Sequence, residues 1–197
     1  MNSSSRLSST LKNLIVSLGS QIITLILLFI SRTIFIRILG AEYLGINSLF
    51  TNILTVLSLA ELGIGNVMIY SLYKPLVDKD ESRIRALLNY YRKIYQYIAL
   101  FIFIFGVGSI PLLKSIVNTN ISHTEIILYY LLYLLNTVFT YLIMYKSTLI
   151  NADQKIYILK VIATIVTFLK EIAQILVLLY SKDFLLYLWV MIISTLI

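Results

Sequence analysis

Long apolar runs alternate with short polar segments along the whole chain. A transmembrane helix needs about 20 mainly apolar residues, because it rises ~1.5 Å per residue through ~30 Å of hydrocarbon. Helix is the expected state, since lipid offers the backbone no hydrogen-bond partners. The pattern therefore predicts an all-α, polytopic transmembrane bundle of about six helices in a single domain, residues 1–197. The predicted spans are Leu14–Ile38, Ile46–Tyr70, Ile94–Leu113, Ile126–Tyr145, Ile156–Tyr180 and Phe184–Ile197.

The sixth run is shorter than the others. Phe184–Ile197 contains 14 residues. That length gives about 21 Å of helix, which does not cross ~30 Å of hydrocarbon. We expect the sequence to be the N-terminal part of a longer protein. A sixth helix that lies at the membrane interface is the alternative.

Basic residues are unevenly distributed among the segments between the runs, and the formal net charge is +7. The N-terminal tail carries Arg6 and Lys12, and the alternate loops are poor in basic residues. The second loop carries Lys74, Lys79, Arg83, Arg85, Arg92 and Lys93. Basic loops tend to stay in the cytoplasm. We therefore predict a cell-membrane protein whose N-terminus is cytoplasmic, with the lipid bilayer as its partner and no nucleic acid.

The second loop has a helical pattern of its own in residues 78–93. Asp78, Asp80 and Ser82 are typical of a helix start. Apolar residues then recur at helical spacing, for example at Ile84 and Leu88, with basic residues elsewhere on the wheel. This pattern favours an amphipathic helix on the cytoplasmic surface. An extension of the third span into water explains it equally well.

Composition excludes several classes of function. Hydrophobic residues make up 59% of the chain and charged residues only 13%, so an ordinary soluble enzyme is not expected. The chain has no Cys and a single His, His123. Disulfides and Cys-ligated zinc are therefore impossible, and a histidine-based metal site or catalytic triad is improbable. We expect no enzymatic activity, no metal and no cofactor.

Four of the six predicted spans carry a polar stripe at helical spacing, as a helix lining a cavity would. Small polar residues alone are more often explained by helix–helix packing. Charged residues deep in the spans shift the balance, because each costs about 2.5–3.5 kcal/mol at the bilayer centre. The candidate substrate-pathway residues are Arg32, Lys160, Lys170, Gln21, Tyr133 and Asn136. Tyr133 is the candidate for packing against a sugar ring, whereas interfacial aromatic belts account for most of the other tyrosines.

Two acidic residues also lie within the spans, Glu61 and Glu171. At ~1.5 Å per residue their depths suggest an ion pair between Arg32 and Glu171. The same arithmetic links Glu61 to Lys160 or Lys170. Fixed ion pairs that hold the bundle together are as good an explanation as a role in transport.

The first two runs and the loop after them contain a distinctive set of motifs. Residues 32–45 read RTIFIRILGAEYLG, and residues 57–76 read LSLAELGIGNVMIYSLYKPL. An arginine-containing first helix, an LG-x-E-x-x-G loop, an ELGIG segment and a YKPL turn together resemble polysaccharide repeat-unit flippases. These are the Wzx-like O-antigen, capsule and teichoic-acid translocases of the multidrug/oligosaccharidyl-lipid/polysaccharide exporter superfamily. The resemblance is most specific over residues 14–97.

The resemblance implies a bacterial cytoplasmic-membrane transporter with two helical lobes around a cleft, of which this chain would be the N-terminal lobe. The implied cargo is an undecaprenyl-diphosphate-linked oligosaccharide, moved from the cytoplasmic to the outer leaflet by alternating access. Cationic residues such as Arg32, Lys160 and Lys170 would meet the diphosphate. Glu61 and Glu171 would carry a coupling proton or ion, or neutralise their neighbours. Other glycan-assembly proteins are further candidate partners.

Three alternatives remain open from the sequence. A drug/cation antiporter of the same superfamily is the nearest, although it would favour deep acids and this chain has more deep bases. A membrane enzyme such as a polysaccharide polymerase would need a large outer loop, and the predicted outer loops are short. The third alternative is an inactive or scaffolding fragment.

Overall fold

A computed structural model describes residues 3–61, 63–117, 119, 121–153 and 156–196, and within these residues it contains helices and no strand. The all-α prediction is therefore confirmed. The described helices are α1 (Ser3–Leu39), α2 (Ala41–Ser58), α3 (Ile64–Val77), α4 (Glu81–Gly108), α5 (Ile110–Ile116), α6 (His123–Ala152), α7 (Ile156–Ser181) and α8 (Phe184–Leu196). A short 3₁₀ helix, Leu59–Glu61, follows α2. Ile197, the predicted end of the sixth span, lies outside the described residues.

Four helical segments are long and apolar enough to cross a membrane: Gln21–Leu39, Ala41–Glu61, His123–Ala152 and Tyr157–Ser181. Phe184–Leu196 is apolar but shorter. The described chain therefore offers four long candidate spans where the sequence predicted about six. Large apolar side chains cover much of the exterior; Phe29, for example, is 74% exposed. An apolar exterior of this kind is typical of a membrane protein.

The second predicted span, Ile46–Tyr70, is wrong as a single helix. The helix begins earlier, at Ala41, because Gly40 makes the turn after α1 with a φ of 91°. It is then interrupted between the 3₁₀ helix and α3, where Gly63 has a φ of 84°. Residues other than glycine rarely adopt such positive φ values. Gly40 therefore sets the start of α2, and Gly63 sets the start of α3.

Residues 81–93 of the segment 78–93 and residues 94–108 of the third predicted span form one continuous helix, α4. The extension of the third span is therefore the correct alternative, and a separate amphipathic helix is not. Asp80 caps the N-terminus, since its carboxylate accepts a hydrogen bond from the Arg83 backbone N–H at 3.0 Å. The helix ends at Gly108, short of the predicted Leu113, and α5 begins just before Pro111, a residue favoured in a first helical turn.

Helix α6 is the centre of the bundle and packs against α2, α3, α4, α5, α7 and α8. Its closest neighbour is α4, where Gly106 lies against Leu134 so tightly that an added Cβ would overlap the leucine methyls. Tyr130 donates a hydrogen bond to the Gly106 carbonyl at 3.1 Å. Helix α1 lies along α7. This arrangement leaves space between α1, α2, α6, α7 and α8.

Candidate functional site

The five helices α1, α2, α6, α7 and α8 enclose a cavity of about 490 Å³, which we call the five-helix cavity. Helix α1 contributes Arg32 and α6 contributes Tyr133, while α7 contributes Lys170, Glu171 and Gln174. The remaining polar lining residues are Ser31, Asn47, Ser48, Thr51, Asn52 and Tyr187. Four of the sequence-predicted site residues, Arg32, Tyr133, Lys170 and Glu171, therefore share one cavity.

The ion pair in this cavity differs from the predicted one. Lys170 Nζ lies 2.9 Å from Glu171 Oε1, and Glu171 is only 3% exposed. Arg32 forms no ion pair with another described residue, so the predicted Arg32–Glu171 pair is wrong. Lys170 rather than Arg32 pairs with Glu171, because its long, flexible side chain reaches the neighbouring carboxylate on the same helix. Arg32 and Lys170 each carry a positive charge and Glu171 carries a negative one, so the three side chains together have one net positive charge.

Gln174 provides a buried hydrogen-bonding group in the cavity wall. Its side-chain nitrogen donates to the Tyr187 carbonyl at 3.2 Å, which holds α7 against α8. Its oxygen, Oε1, accepts no hydrogen bond from the described residues, although Gln174 is only 2% exposed. A buried acceptor without a donor is unfavourable. The cavity wall therefore contains one buried acceptor without a donor among the described residues.

Aromatic rings close one end of the five-helix cavity. Phe35 and Tyr187 line it and meet edge to face, with ring centroids 5.2 Å apart. Phe184 contacts Phe35 at 5.8 Å and Tyr129 at 4.8 Å. Edge-to-face contacts of this kind are favourable. The polar stripes did not point to Phe184 and Tyr187, because α8 has no stripe of its own; only the aromatic spacing in this segment could have indicated them.

Tyr133 is itself part of a ring contact. Its side chain is buried and meets Phe50 of α2 edge to face, with centroids 5.6 Å apart. This contact fixes the phenol ring in the cavity wall. A rigid ring beside hydroxyl and amide side chains is a surface on which a sugar could pack.

Gln21 and Lys160 lie in a different place, a groove of about 450 Å³ between α1 and α7 that we call the α1–α7 groove. Thr24, Thr164 and Thr167 supply further polar lining. The Thr164 hydroxyl donates to the Lys160 carbonyl at 2.8 Å and so points back along its own helix. The predicted pathway residues are therefore divided between this groove and the five-helix cavity.

Glu61 lies in a third cavity, of about 360 Å³, beside the break between α2 and α3. Its carboxylate accepts a hydrogen bond from the Tyr95 hydroxyl at 3.1 Å. The predicted link from Glu61 to Lys170 is wrong, because Lys170 pairs with Glu171. The alternative link from Glu61 to Lys160 stays a prediction. Polar residues that line the same cavity include Ser58, Asn66, Ser147, Thr148 and Asn151.

Asn136 joins two helices and lies apart from the cluster around Arg32. Its side-chain oxygen accepts a hydrogen bond from the Thr195 hydroxyl of α8 at 2.7 Å. This bond ties the middle of α6 to the end of α8, as polar residues often do between membrane helices. In this structure Asn136 therefore has a packing role.

The described residues contain no group of three or more His, Asp or Glu side chains that could hold a metal ion. No protein-family model, curated protein or solved structure matches the chain. The residues and geometry of the three cavities are therefore the grounds on which a function is proposed.

Proposed function

We propose that this chain takes part in moving an undecaprenyl-diphosphate-linked oligosaccharide from the cytoplasmic to the outer leaflet of a bacterial cell membrane. The observation that carries the proposal is the five-helix cavity, a polar and net-positive space inside a bundle with an apolar exterior. The motifs in residues 32–45 and 57–76, which resemble those of polysaccharide repeat-unit flippases, support the same cargo.

The chemistry of the cavity suits an anionic, hydroxyl-rich headgroup. A guanidinium such as Arg32 can donate two parallel hydrogen bonds to phosphate oxygens, and Lys170 adds a second cation. Asn47, Ser48, Thr51 and Asn52 line the cavity and are exposed or half-buried, so their amide and hydroxyl groups can bond to sugar hydroxyls. Each part of the proposed headgroup therefore has a counterpart in the wall.

A purely structural role explains the cavity less well. The Glu171 carboxylate already has a cationic partner in Lys170, its neighbour on the same helix, so its neutralisation requires no second cation. Arg32 is a second cation in the same wall and is exposed. A charged residue within a membrane segment is costly and commonly serves a substrate pathway. Arg32 is therefore the residue whose presence most favours transport.

The decisive experiment is deletion of the gene in its host, followed by measurement of lipid-linked oligosaccharide on each leaflet and of surface polysaccharide. Accumulation on the cytoplasmic leaflet with loss of surface glycan is the expected result. Complementation with Arg32→Ala should fail although the protein inserts normally. Arg37→Ala is the matched control, because Arg37 is exposed in the last turn of the same helix and does not line the cavity. Full surface glycan in the Arg32→Ala strain would refute the proposal.

A second candidate is a drug/cation antiporter, and the Glu61 cavity is the observation that favours it. Glu61 has a tyrosine hydroxyl as its hydrogen-bond partner, and the ion pairs observed among the described residues do not include it. A carboxylate in such a setting can exchange a proton or bind a cation. If deletion changes dye efflux and leaves surface glycan unchanged, this candidate replaces the first. Glu61→Gln should then abolish the efflux.

A further inference from the structure

An apolar groove of about 270 Å³ lies between α7 and α8, and we call it the α7–α8 groove. Leu169 and Ile193 are 61% and 56% exposed, so the groove opens on the apolar exterior of the bundle. Its other apolar lining residues are Val166, Ala173 and Val190. The groove is therefore accessible to hydrocarbon from the side of the protein.

Lys170 lines both the α7–α8 groove and the five-helix cavity. Successive residues of a helix are about 100° apart, which places Leu169 and Ala173 on one side of Lys170 and Glu171 and Gln174 on the other. Lys170 therefore marks the border on α7 between an apolar face and a polar face. The two spaces are adjacent and share this cationic side chain.

We propose that the α7–α8 groove holds the polyprenyl chain of the transported lipid while its diphosphate lies beside Lys170 and Arg32 in the five-helix cavity. The inference rests on the proposed function and names a subsite for the lipid part of that cargo. A lipid-linked headgroup cannot enter a polar cavity without its chain, and moving methylene groups out of hydrocarbon is unfavourable. The polyprenyl chain must therefore extend sideways out of the cavity. The α7–α8 groove gives it an apolar path directly beside the proposed phosphate-binding cations.

The position of the groove along its helices distinguishes this occupant from a bulk phospholipid. Helix α7 has 26 residues and is about 39 Å long. Residues 166–173 lie about 15–26 Å from its start, around its middle and hence around the middle of a bilayer that it crosses. A bulk phospholipid keeps its charged headgroup at the interface and has no anion to place beside a cation at that depth. A translocated diphosphate passes that depth. Lys170 at the border therefore favours the transported lipid.

The test compares two diphosphates that share a headgroup and differ in chain length. Wild-type chain, Ala173→Trp and Leu179→Trp are placed in nanodiscs of phosphatidylethanolamine and phosphatidylglycerol, and binding of undecaprenyl diphosphate and of methyl diphosphate is measured. Ala173→Trp fills the groove and should weaken undecaprenyl diphosphate binding about tenfold, equivalent to ~1.4 kcal/mol. It should leave methyl diphosphate binding unchanged, because a methyl group does not reach into the groove. Leu179→Trp, on the exposed surface of α7 outside the groove, should change neither.

Other outcomes overturn the inference in distinguishable ways. Equal weakening of both diphosphates by Ala173→Trp would mean that the substitution disturbs the cavity. Unchanged binding of both diphosphates would mean that the polyprenyl chain binds elsewhere. In that case the proposed function would stand if Arg32→Ala still removed diphosphate binding. A photoreactive phosphatidylglycerol that labels the groove, and is not displaced by undecaprenyl diphosphate, would show a bulk lipid as the occupant. Failure of the wild-type chain to bind either diphosphate would refute the proposed function as well.

Discussion

The α4–α6 interface and the five-helix cavity both use α6, but they differ in packing and in polarity. At the interface, Gly106 allows two backbones to approach until Leu134 and Tyr130 fill the space between them. At the cavity, five helices leave about 490 Å³ lined by charged and hydrogen-bonding groups. Close packing needs small residues and apolar surface. One side of α6 therefore fixes the fold, whereas the other is free to bind a ligand.

The largest effect on stability is expected at the ion pair in the cavity. Lys170→Leu leaves the Glu171 carboxylate buried without its partner, and we expect a loss of about 2 kcal/mol. This is less than the ~3–5 kcal/mol for fully buried pairs, because 26% of the Lys170 side chain is exposed. The double variant Lys170→Leu/Glu171→Leu should recover most of the lost stability, since no unpaired charge remains. Thermal unfolding in detergent measures both changes.

A transport assay distinguishes a role of the Lys170–Glu171 pair in transport from a purely structural role. The stable double variant should still fail to restore surface glycan, because the cavity has lost a cation. A double variant that is as unstable as the sum of the single variants would mean that Lys170 and Glu171 do not interact. A double variant that restores full surface glycan would mean that the pair serves the fold alone.

A smaller effect is expected at the interface. Gly106→Ala places a methyl group against Leu134, and overpacking of this kind costs about 1–3 kcal/mol. We expect a loss near the lower end of that range, because the added methyl group overlaps only the terminal methyl groups of the flexible Leu134 side chain. A decrease in thermal stability in detergent measures it. Gly108→Ala is the matched control on the same helix, because nothing lies within 4 Å of the position of its added Cβ. Equal stability of the two alanine variants would show that α4 and α6 are not closely packed at Gly106.

The smallest effect is expected at the N-terminal start of α4, away from the interface. Hydrogen bonds from the Arg83 backbone and the Ser82 hydroxyl lower the pKa of Asp80 below its ordinary value of 3.8. A lowered pKa in the folded state means that the charged cap contributes stability above pH 3.8 and loses that contribution as the pH falls through the lowered pKa. Asp80→Asn retains a capping side chain but should lack this pH dependence.

Circular dichroism between pH 5 and pH 2 follows the helix content of the wild type and of Asp80→Asn. The difference between the two curves measures the contribution of the charged cap. Asp78→Asn is the control, because Asp78 lies in the same turn but does not cap α4. If Asp80→Asn and the wild type titrate identically, the cap does not contribute.

The sequence predicted the cluster around Arg32 better than it predicted the pairing within it. Polar stripes at helical spacing indicated that Arg32, Tyr133, Lys170 and Glu171 face a common space, and the structure places them in one cavity. Depth arithmetic treated each side chain as a point on its helix axis. It could not anticipate that Lys170 bends onto Glu171, because that depends on the free space around a flexible stem.

The separation of Gln21 and Lys160 from that cavity could not be predicted in the same way. A stripe records direction around a helix axis and does not record where a neighbouring helix crosses. Gln21 belongs to the stripe of Arg32, yet α7 meets α1 so that Gln21 lies in the α1–α7 groove. The position of Glu61 beside Tyr95 depends likewise on the break before α3, where two nearby glycines were the only sequence signal.

The sequence by itself determined that this protein is helical, that its exterior is apolar and that charged residues interrupt its apolar runs. These properties follow from composition and from periodicity along one chain, and each segment carries them separately. Only the tertiary structure decided which polar faces share a cavity, which residue neutralises Glu171 and that Lys170 also borders the α7–α8 groove. Those outcomes depend on the distances between helices, which are set by side-chain packing between residues far apart in the sequence.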